Sequence, residues 1–247
     1  MRAMILAAGL GTRLRPLTEN RPKALVEIAG RTLLEITLSR LREFGIHQVI
    51  INVHHYADMI AEYLKANNNF GMHIELSREE VLLDTGGGLK KASYFFLEDW
   101  DSSEEPFILH NVDVISTIDL RRMVEFHAEN QALATLAVQN RKTSRYLVFD
   151  DRLQLCGRCA AGDNSTDCAP SSRQALAFSG IHVVSPRVFR MMTERGVFSI
   201  ITSYLRLAGQ GEKILAFRAD EYYWRDLGTP ESVRQASRDW KQKALLQ

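Results

Sequence analysis

Residues 4–16 read MILAAGLGTRLRP, and residues 21–26 read RPKALV. An apolar run of strand length ends here in two glycines, and Thr12, Arg13, Arg15 and Lys23 follow it. Glycines let the backbone approach a ligand closely, and successive N–H groups in such a loop form a concave anion site. The basic side chains add fixed positive charge beside that site. The pattern predicts a loop that binds a polyphosphate at the end of a buried strand.

Two other phosphate-binding loops do not fit this stretch. A Walker loop requires the pattern GxxxxGK[ST], but Lys23 follows a proline. The dinucleotide fingerprint requires a third small residue where the chain has Leu14, which is too bulky for close packing of a helix on a strand. A dinucleotide-dependent oxidoreductase is therefore disfavoured. The remaining alternative is an ordinary strand and turn with basic residues on its surface.

The composition excludes further classes of function. The 247 residues include 31 Lys and Arg against 30 Asp and Glu, so no overall electrostatic field favours nucleic acid or a membrane surface. No apolar run approaches the roughly 18 residues of a transmembrane helix, and the amino terminus lacks a signal-peptide pattern. We expect a cytoplasmic protein that binds neither nucleic acid nor membranes. The sequence does not distinguish a monomer from a homodimer.

Strand and helix patterns alternate along the first half of the chain. Apolar runs at Arg2–Ala8, Gln48–Val53 and Met72–Leu76 predict strands, and amphipathic patterns at Thr32–Phe44 and Tyr56–Asn67 predict the helices between them. This βαβαβ order predicts an α/β fold with a doubly wound, mostly parallel, Rossmann-like sheet.

The second half of the chain departs from this order. The composition changes at Arg141, and short strand patterns followed by a polar run predict a small antiparallel insertion at about residues 141–175. A last helix is expected at about residues 229–246, with Thr229 as its N-cap. We expect a single domain over residues 1–247.

A carboxylate follows another buried strand. Asp113 comes after the apolar run Pro106–His110, at the edge of an open α/β sheet where ligands collect. Two like charges about 4 Å apart repel by about 4 kcal/mol at an effective dielectric constant of about 20, so a divalent cation would have to separate Asp113 from a polyphosphate. Asp113 is therefore a predicted Mg²⁺ ligand. The alternative is a helix cap, a role for which Asp119 is better placed.

Three glycines precede another helical stretch. Gly86, Gly87 and Gly88 come just before a helical run, so a flat group could lie against the backbone there. Free backbone N–H and C=O groups at this place could then read the edge of a nucleobase. The alternative is a flexible loop that only leads into the helix.

The glycine loop and several later motifs together resemble the sugar-1-phosphate nucleotidylyltransferases. The matching motifs are LAAGLGTRLRPLT (residues 6–18), RPKALV (21–26), TGGG (85–88), NVD (111–113), FSGI (178–181) and WRDLGTPE (224–231). The compact length, TGGG and FSGI are most similar to the N-acetylmuramate-1-phosphate uridylyltransferase branch of that family. The resemblance implies a nucleotide-diphospho-sugar transferase fold and Mg²⁺ as cofactor. It also implies that a nucleoside triphosphate, with UTP favoured, reacts with a sugar 1-phosphate to give an NDP-sugar and pyrophosphate.

The resemblance also implies roles for individual residues. Arg13, Lys23 and Asp113 would be catalytic, and Asp113 and Asp226 would share the Mg²⁺. The nucleotide would contact Leu6, Ala8, Gly9, Gly11, Thr12, Arg13, Lys23, Gly86, Gly87 and Gly88. The sugar would contact Asn111, Ser179 and Gly180, although a buried hydroxyl is an equally good interpretation of Ser179.

The chain departs from the family pattern at two places. Val112 stands where a glycine is usual, and the Glu-Lys-Pro motif whose lysine touches the sugar phosphate is absent, since no lysine occurs between Lys142 and Lys213. The sugar phosphate would then be held by an arginine or by the metal. Both departures leave open a second hypothesis, a non-catalytic sugar-nucleotide sensor or regulatory subunit on the same fold.

Two further groups of reactive side chains have ordinary explanations. Cys156, Cys159 and Cys168 lie close together, but no nearby residue supplies the fourth ligand of a structural zinc site, so reduced or incidentally oxidised thiols are expected. His182 lies within an apolar strand pattern and is expected to be a core or surface imidazole rather than a catalytic base.

Overall fold

The computed structural model describes residues 1–97, 105–161 and 173–241. The strands, in chain order, are β1 (Arg2–Leu6), β2 (Glu27–Ile28), β3 (Arg31–Thr32), β4 (Gln48–Val53), β5 (His73–Arg78), β6 (Phe107–Asn111), β7 (Val114–Ser116), β8 (Ala134–Gln139), β9 (Arg145–Phe149), β10 (Leu155–Ala160), β11 (Gln174–Val184), β12 (Ile214–Arg218) and β13 (Trp224–Asp226). The helices are α1 (Leu33–Glu43), α2 (Ala57–Ala66), α3 (Asp84–Lys91), α4 (Ser93–Leu97), α5 (Leu120–Glu129), α6 (Val188–Met191), α7 (Ile200–Gly209) and α8 (Pro230–Lys241). No helix in these ranges is long and apolar enough to cross a membrane.

Nine of the described strands form one main sheet. Strands β5, β4, β1 and β6 lie side by side and run parallel. Strand β11 follows antiparallel to β6, and β8 and β12 continue beyond it, parallel to each other. The first residues of β11 also pair with β9, which pairs with β10 in the predicted antiparallel insertion. The predicted doubly wound, mostly parallel α/β sheet is confirmed; residues 162–172 of the insertion lie outside the described ranges.

Strand β1 explains how the two faces of the sheet are covered. Ala3, Met4 and Ile5 are fully buried, and successive strand residues point to opposite faces. Ala3 and Ile5 pack in an apolar cluster that includes the buried face of α1, whereas Met4 packs in a second cluster that includes α7. Helices thus bury both faces, which is the usual environment of a parallel sheet.

Several predicted helix ends are confirmed by their hydrogen bonds. The Asp119 carboxylate accepts the backbone N–H groups of Arg121 and Arg122 at the start of α5, so Asp119 is the cap and Asp113 is free for another role. Thr229 Oγ1 accepts the N–H of Ser232 at 3.2 Å at the start of α8. The described part of α8 ends at Lys241, and the rest of its predicted span lies outside the described residues.

A short ribbon joins distant parts of the chain at the carboxyl edge of the parallel strands. Strand β7 follows β6 after Val112 and Asp113, and it pairs antiparallel with β13 so that Val114 lies opposite Asp226. The Leu227 N–H donates to the Asp113 carbonyl oxygen at 2.8 Å. These backbone contacts place Asp113 beside Asp226.

Candidate active site

The glycine loop leaves β1 with its backbone fixed at two points. The Ala7 N–H donates to Asn52 Oδ1 at 2.8 Å, and the Gly11 carbonyl accepts the Thr18 hydroxyl at 2.8 Å. Gly11 has φ = 64°, in the left-handed region, and a Cβ there would lie 3.0 Å from the Thr18 methyl. Gly9 is exposed, and a Cβ there would meet nothing within 4 Å. Hydrogen bonds therefore fix the backbone of the loop, while the exposed Gly9 leaves room beside it, as an anion-binding loop requires.

The other residues predicted to bind the nucleotide differ in what they expose. Thr12 and Arg13 have exposed side chains, whereas Leu6 is half-buried and Ala8 is buried. Leu6 and Ala8 therefore offer chiefly backbone groups to a ligand. Contact of these residues with a nucleotide stays a prediction.

The charged residues of the sequence motifs converge on this loop. Lys23 forms an ion pair with the carboxylate of Asp113, and both side chains are largely buried. Lys23 stands at the start of a 3₁₀ turn after the extended residue Pro22. Charged groups that are this buried need a partner, and each supplies it to the other.

Gly228 allows Arg13 and Asp226 to approach each other. Its N–H donates to Asp226 Oδ1 at 2.8 Å. A Cβ on Gly228 would lie only 2.6 Å from Asp226 Oδ1 and 2.8 Å from Arg13 Nη2, so both side chains occupy the space that a larger residue would need. Gly228 belongs to the WRDLGTPE motif, but the sequence does not reveal this close approach.

Asp113 and Asp226 form an electrostatically strained pair. Burial raises the pKa of the Asp226 carboxyl, and the nearby charge of Asp113 raises it further. The Gly228 N–H and the cations of Lys23 and Arg13 act in the opposite direction. A divalent cation beside both carboxylates would relieve their repulsion.

The donor set fits Mg²⁺. Among the described residues, no group of three or more His, Cys, Asp and Glu side chains could enclose a metal. Mg²⁺ is commonly bound by one or two carboxylates together with phosphate oxygens of the substrate, rather than by a cage of protein ligands. Asp113 and Asp226 offer that arrangement, and their use as ligands stays a prediction.

The residues predicted to bind the sugar lie at the junction of β6 and β11. Gly180 has φ = 74°, and a Cβ there would lie 2.8 Å from Asn111 Nδ2, so the Asn111 amide rests against the β11 backbone. The Ser179 side chain is fully buried, and its hydroxyl has no hydrogen-bond partner among the described residues. The structure thus favours the alternative of a buried hydroxyl over a sugar contact for Ser179.

The expectation of free N–H groups at the three glycines is wrong for Gly86 and Gly87. They lie inside α3, and the N–H groups of both donate to the Phe198 carbonyl, at 2.9 and 3.2 Å. A Cβ on Gly86 would lie 2.4 Å from the Phe198 ring, and one on Gly88 would lie 2.6 Å from Glu79 Oε1. Close packing of α3 on its neighbours requires these glycines, and their contact with a nucleotide stays untested.

A buried polar network that the sequence did not reveal connects the glycine loop with α3. Asn52, whose Oδ1 holds the loop, donates from Nδ2 to Glu79 Oε1 at 2.8 Å. Glu79 Oε2 in turn accepts the Leu83 N–H at 2.9 Å, next to the start of α3. The available signal was an asparagine within the otherwise apolar run of β4.

Val112, which stands where the family usually has a glycine, is part of the core. Its side chain is buried in the core, and its N–H donates to the Leu6 carbonyl at 3.1 Å. The valine side chain therefore packs in the apolar core.

His182, Cys156 and Cys159 lie within the described residues. His182 is buried, Nδ1 lies 3.1 Å from the Tyr204 hydroxyl, and burial lowers its pKa to about 3. The expectation of a core imidazole is thus confirmed. Cys156 is a free, exposed thiol and Cys159 is disulfide-bonded, while Cys168 lies outside the described residues.

A model of the nucleotidyl transferase family matches residues 2–154. The chain is 33% identical over 239 residues to the N-acetylmuramate alpha-1-phosphate uridylyltransferase of Caulobacter vibrioides, covering 93% of each protein. It is 30% identical to the mannose-1-phosphate guanylyltransferase of Mycobacterium tuberculosis, covering 96% of this chain and 64% of that protein. The crystal structure of HddC from Yersinia pseudotuberculosis complexed with GMP-PN has the same fold, with a TM-score of 0.75 at 22% identity over 97% of this chain and 99% of that one. The chain therefore belongs to the nucleotidyl transferase family, among relatives that are sugar-1-phosphate nucleotidyltransferases.

Proposed function

We propose that this protein catalyses the Mg²⁺-dependent transfer of a nucleotidyl group from a nucleoside triphosphate to a sugar 1-phosphate. An oxygen of the sugar phosphate attacks the α-phosphorus in line, and the bond from the α-phosphorus to the oxygen bridging the β-phosphate breaks. Pyrophosphate leaves, and the product is an NDP-sugar. Such a reaction needs positioning and charge stabilisation but no covalent protein intermediate.

The convergence of four charged side chains supports this proposal most directly. Arg13 and Lys23 come from the first part of the chain, Asp113 from the end of β6, and Asp226 from β13. Folding places all four beside the open glycine loop, with Lys23 on Asp113 and Arg13 against Gly228 and Asp226. Two cations beside two carboxylates suit a polyphosphate bound together with a divalent metal.

Each side chain then has a definite part in the reaction. Gly9, Gly11 and Thr12 surround the triphosphate, and Arg13 neutralises the charge that builds up on the leaving pyrophosphate. Lys23 binds the phosphates nearest the reacting centre. Asp113 and Asp226 would hold Mg²⁺, which would supply positive charge to the reacting phosphates.

We favour UTP as the donor, because the curated relative that matches the chain over 93% of both lengths is a uridylyltransferase. GTP is the second donor to test, since another relative is a guanylyltransferase. N-acetylmuramate 1-phosphate is the first acceptor to test for the same reason.

The test is a pyrophosphate-release assay with Mg²⁺, in which five nucleoside triphosphates are screened against a panel of sugar 1-phosphates. Wild-type protein should turn over one strongly preferred pair, and omission of Mg²⁺ or Asp113→Asn should lower the rate by about a thousandfold or more. Nucleotide binding without turnover of any pair would replace the proposal with the sensor hypothesis.

A further inference from the structure

Arg141 lies in a turn that several hydrogen bonds hold in place. It lies two residues beyond β8, and its N–H donates to the Gln139 carbonyl at 3.1 Å. Gln139 Nε2 donates to the Ala219 and Tyr222 carbonyls, and the Asn140 N–H donates to Asp220 Oδ1 at 2.6 Å. These hydrogen bonds join the end of β8 to the segment that leads into β13. They therefore fix the position of Arg141 relative to β13.

The guanidinium of Arg141 is held in one orientation. It lies 3.5 Å from the centroid of the Trp224 ring, and its Nη2 donates to the Phe178 carbonyl at 2.7 Å. The Trp224 indole is fixed in turn, because Nε1 donates to the Ser179 carbonyl at 2.7 Å. The irregular register of β11 after Phe178 leaves these two carbonyls free to accept side chains rather than strand neighbours.

Arg141 carries a charge that its own surroundings do not match. Its Nε is buried and has no hydrogen-bond partner in the described part of the chain, and no described carboxylate forms an ion pair with it. Burial lowers its pKa, against the opposing effect of Asp226, yet an arginine remains protonated at neutral pH. A partly desolvated cation that makes no direct ion pair favours the binding of an anion.

Arg141 and Asp226 belong to the same corner of the site. Trp224 and Asp226 are two residues apart on β13, so their side chains project from the same face of the strand. The guanidinium that stacks on Trp224 therefore lies on the Asp226 side of the site, where the charge of Asp226 acts on it. Arg13 and Lys23 belong instead to the glycine loop and the segment that follows it.

We propose that Arg141 binds the phosphate group of the acceptor sugar 1-phosphate, an inference that rests on the proposed function. In an in-line transfer the acceptor oxygen enters opposite the leaving pyrophosphate. In the proposed function Arg13 and Lys23 bind the triphosphate of the donor, so a cationic side chain on the other side would add to the charge that Mg²⁺ supplies to the acceptor phosphate. A guanidinium already fixed by a ring and a carbonyl can donate from its remaining N–H groups to phosphate oxygens with little loss of entropy.

The experiment measures steady-state kinetics of Arg141→Gln with the preferred donor and acceptor. The KM for the sugar 1-phosphate should rise about ten- to a hundredfold, the range for loss of a charged hydrogen bond, while the KM for the nucleotide stays within about twofold. Arg141→Lys keeps the charge but loses the planar stack, so it should give an intermediate KM for the sugar 1-phosphate. Arg141→Lys also tests the inference if Arg141→Gln does not fold.

Arg187→Gln is the matched control. This exposed arginine follows β11 at the opposite edge of the sheet and pairs with Glu212 at 3.1 Å, so both KM values should equal those of the wild type. An unchanged KM for the sugar 1-phosphate in both Arg141 variants, or a rise only in the nucleotide KM, would overturn the inference and leave the proposed function intact. Wild-type protein that turns over no pair would instead remove the proposed function and this inference with it.

Discussion

Gly228 offers a sharp test of the site because a single methyl group would displace two charged side chains. In Gly228→Ala the new Cβ would lie 2.6 Å from Asp226 Oδ1 and 2.8 Å from Arg13 Nη2. Ordinary contact begins at 3.4 Å, so the Asp226 oxygen must retreat by about 0.8 Å and the Arg13 nitrogen by about 0.6 Å. Gly228 does not have a positive φ, so alanine is compatible with its backbone.

The expected effect falls on activity rather than stability. Metal–ligand distances are held to within about 0.2 Å, and a misplacement of about 1 Å in a catalytic group lowers rates by about a hundredfold. We therefore expect kcat/KM to fall by about a hundredfold, or about 2.7 kcal/mol of transition-state stabilisation. The atoms that must move are at the ends of side chains, so the thermal midpoint should change by no more than about 4 °C.

The assay is pyrophosphate release at several Mg²⁺ concentrations, with a thermal melt of the same preparation. Gly209→Ala is the control, because a Cβ there meets nothing within 4 Å and the residue ends α7 without a positive φ. Activity of Gly228→Ala within about threefold of the wild type would refute the reasoning. So would an equal loss in the control.

Three further predictions concern Asp226, Asn52 and Gly87. Asp226→Asn should raise the thermal midpoint at neutral pH without Mg²⁺, because its pKa is raised in the folded state and ionisation there is disfavoured. In a series of melts at different pH, the difference in thermal midpoint between Asp226→Asn and the wild type should be complete above the folded-state pKa of Asp226. It should vanish below the ordinary pKa of 3.8. Added Mg²⁺ should stabilise only the wild type. Asn52→Ala should lower the free energy of unfolding in urea by about 1–3 kcal/mol, because the buried Ala7 N–H loses its acceptor, and an unchanged urea midpoint would contradict this. Gly87→Ala should destabilise the protein by about 1–3 kcal/mol or more, since its Cβ would lie 2.5 Å from a backbone carbonyl oxygen. An unchanged melt with weakened nucleotide binding would contradict this and would support the predicted nucleotide role of Gly87.

Much of the fold could be predicted because its signals are local. Apolar runs that alternate with amphipathic segments specify buried strands and covering helices, and β1 and α1 appear where those patterns place them. The cap at Asp119 and the glycine loop likewise depend on neighbouring residues and on backbone conformations that glycine alone adopts easily. The resemblance of the motifs to a known family, confirmed by the family match, then indicated which of these local features carry chemistry.

The contacts between distant residues could be seen only in the tertiary structure. Composition and spacing do not specify that β13 pairs with β7, yet this pairing sets Asp226 beside Asp113 and brings Trp224 under the Arg141 guanidinium. The same holds for Ser179, whose hydroxyl is enclosed by the fold. The sequence determined which residue types stand at the ends of the strands, but strand register and packing decided which of them face the cleft. The physical reason is that burial and charge depend on neighbours far away in the chain, which local pattern does not encode.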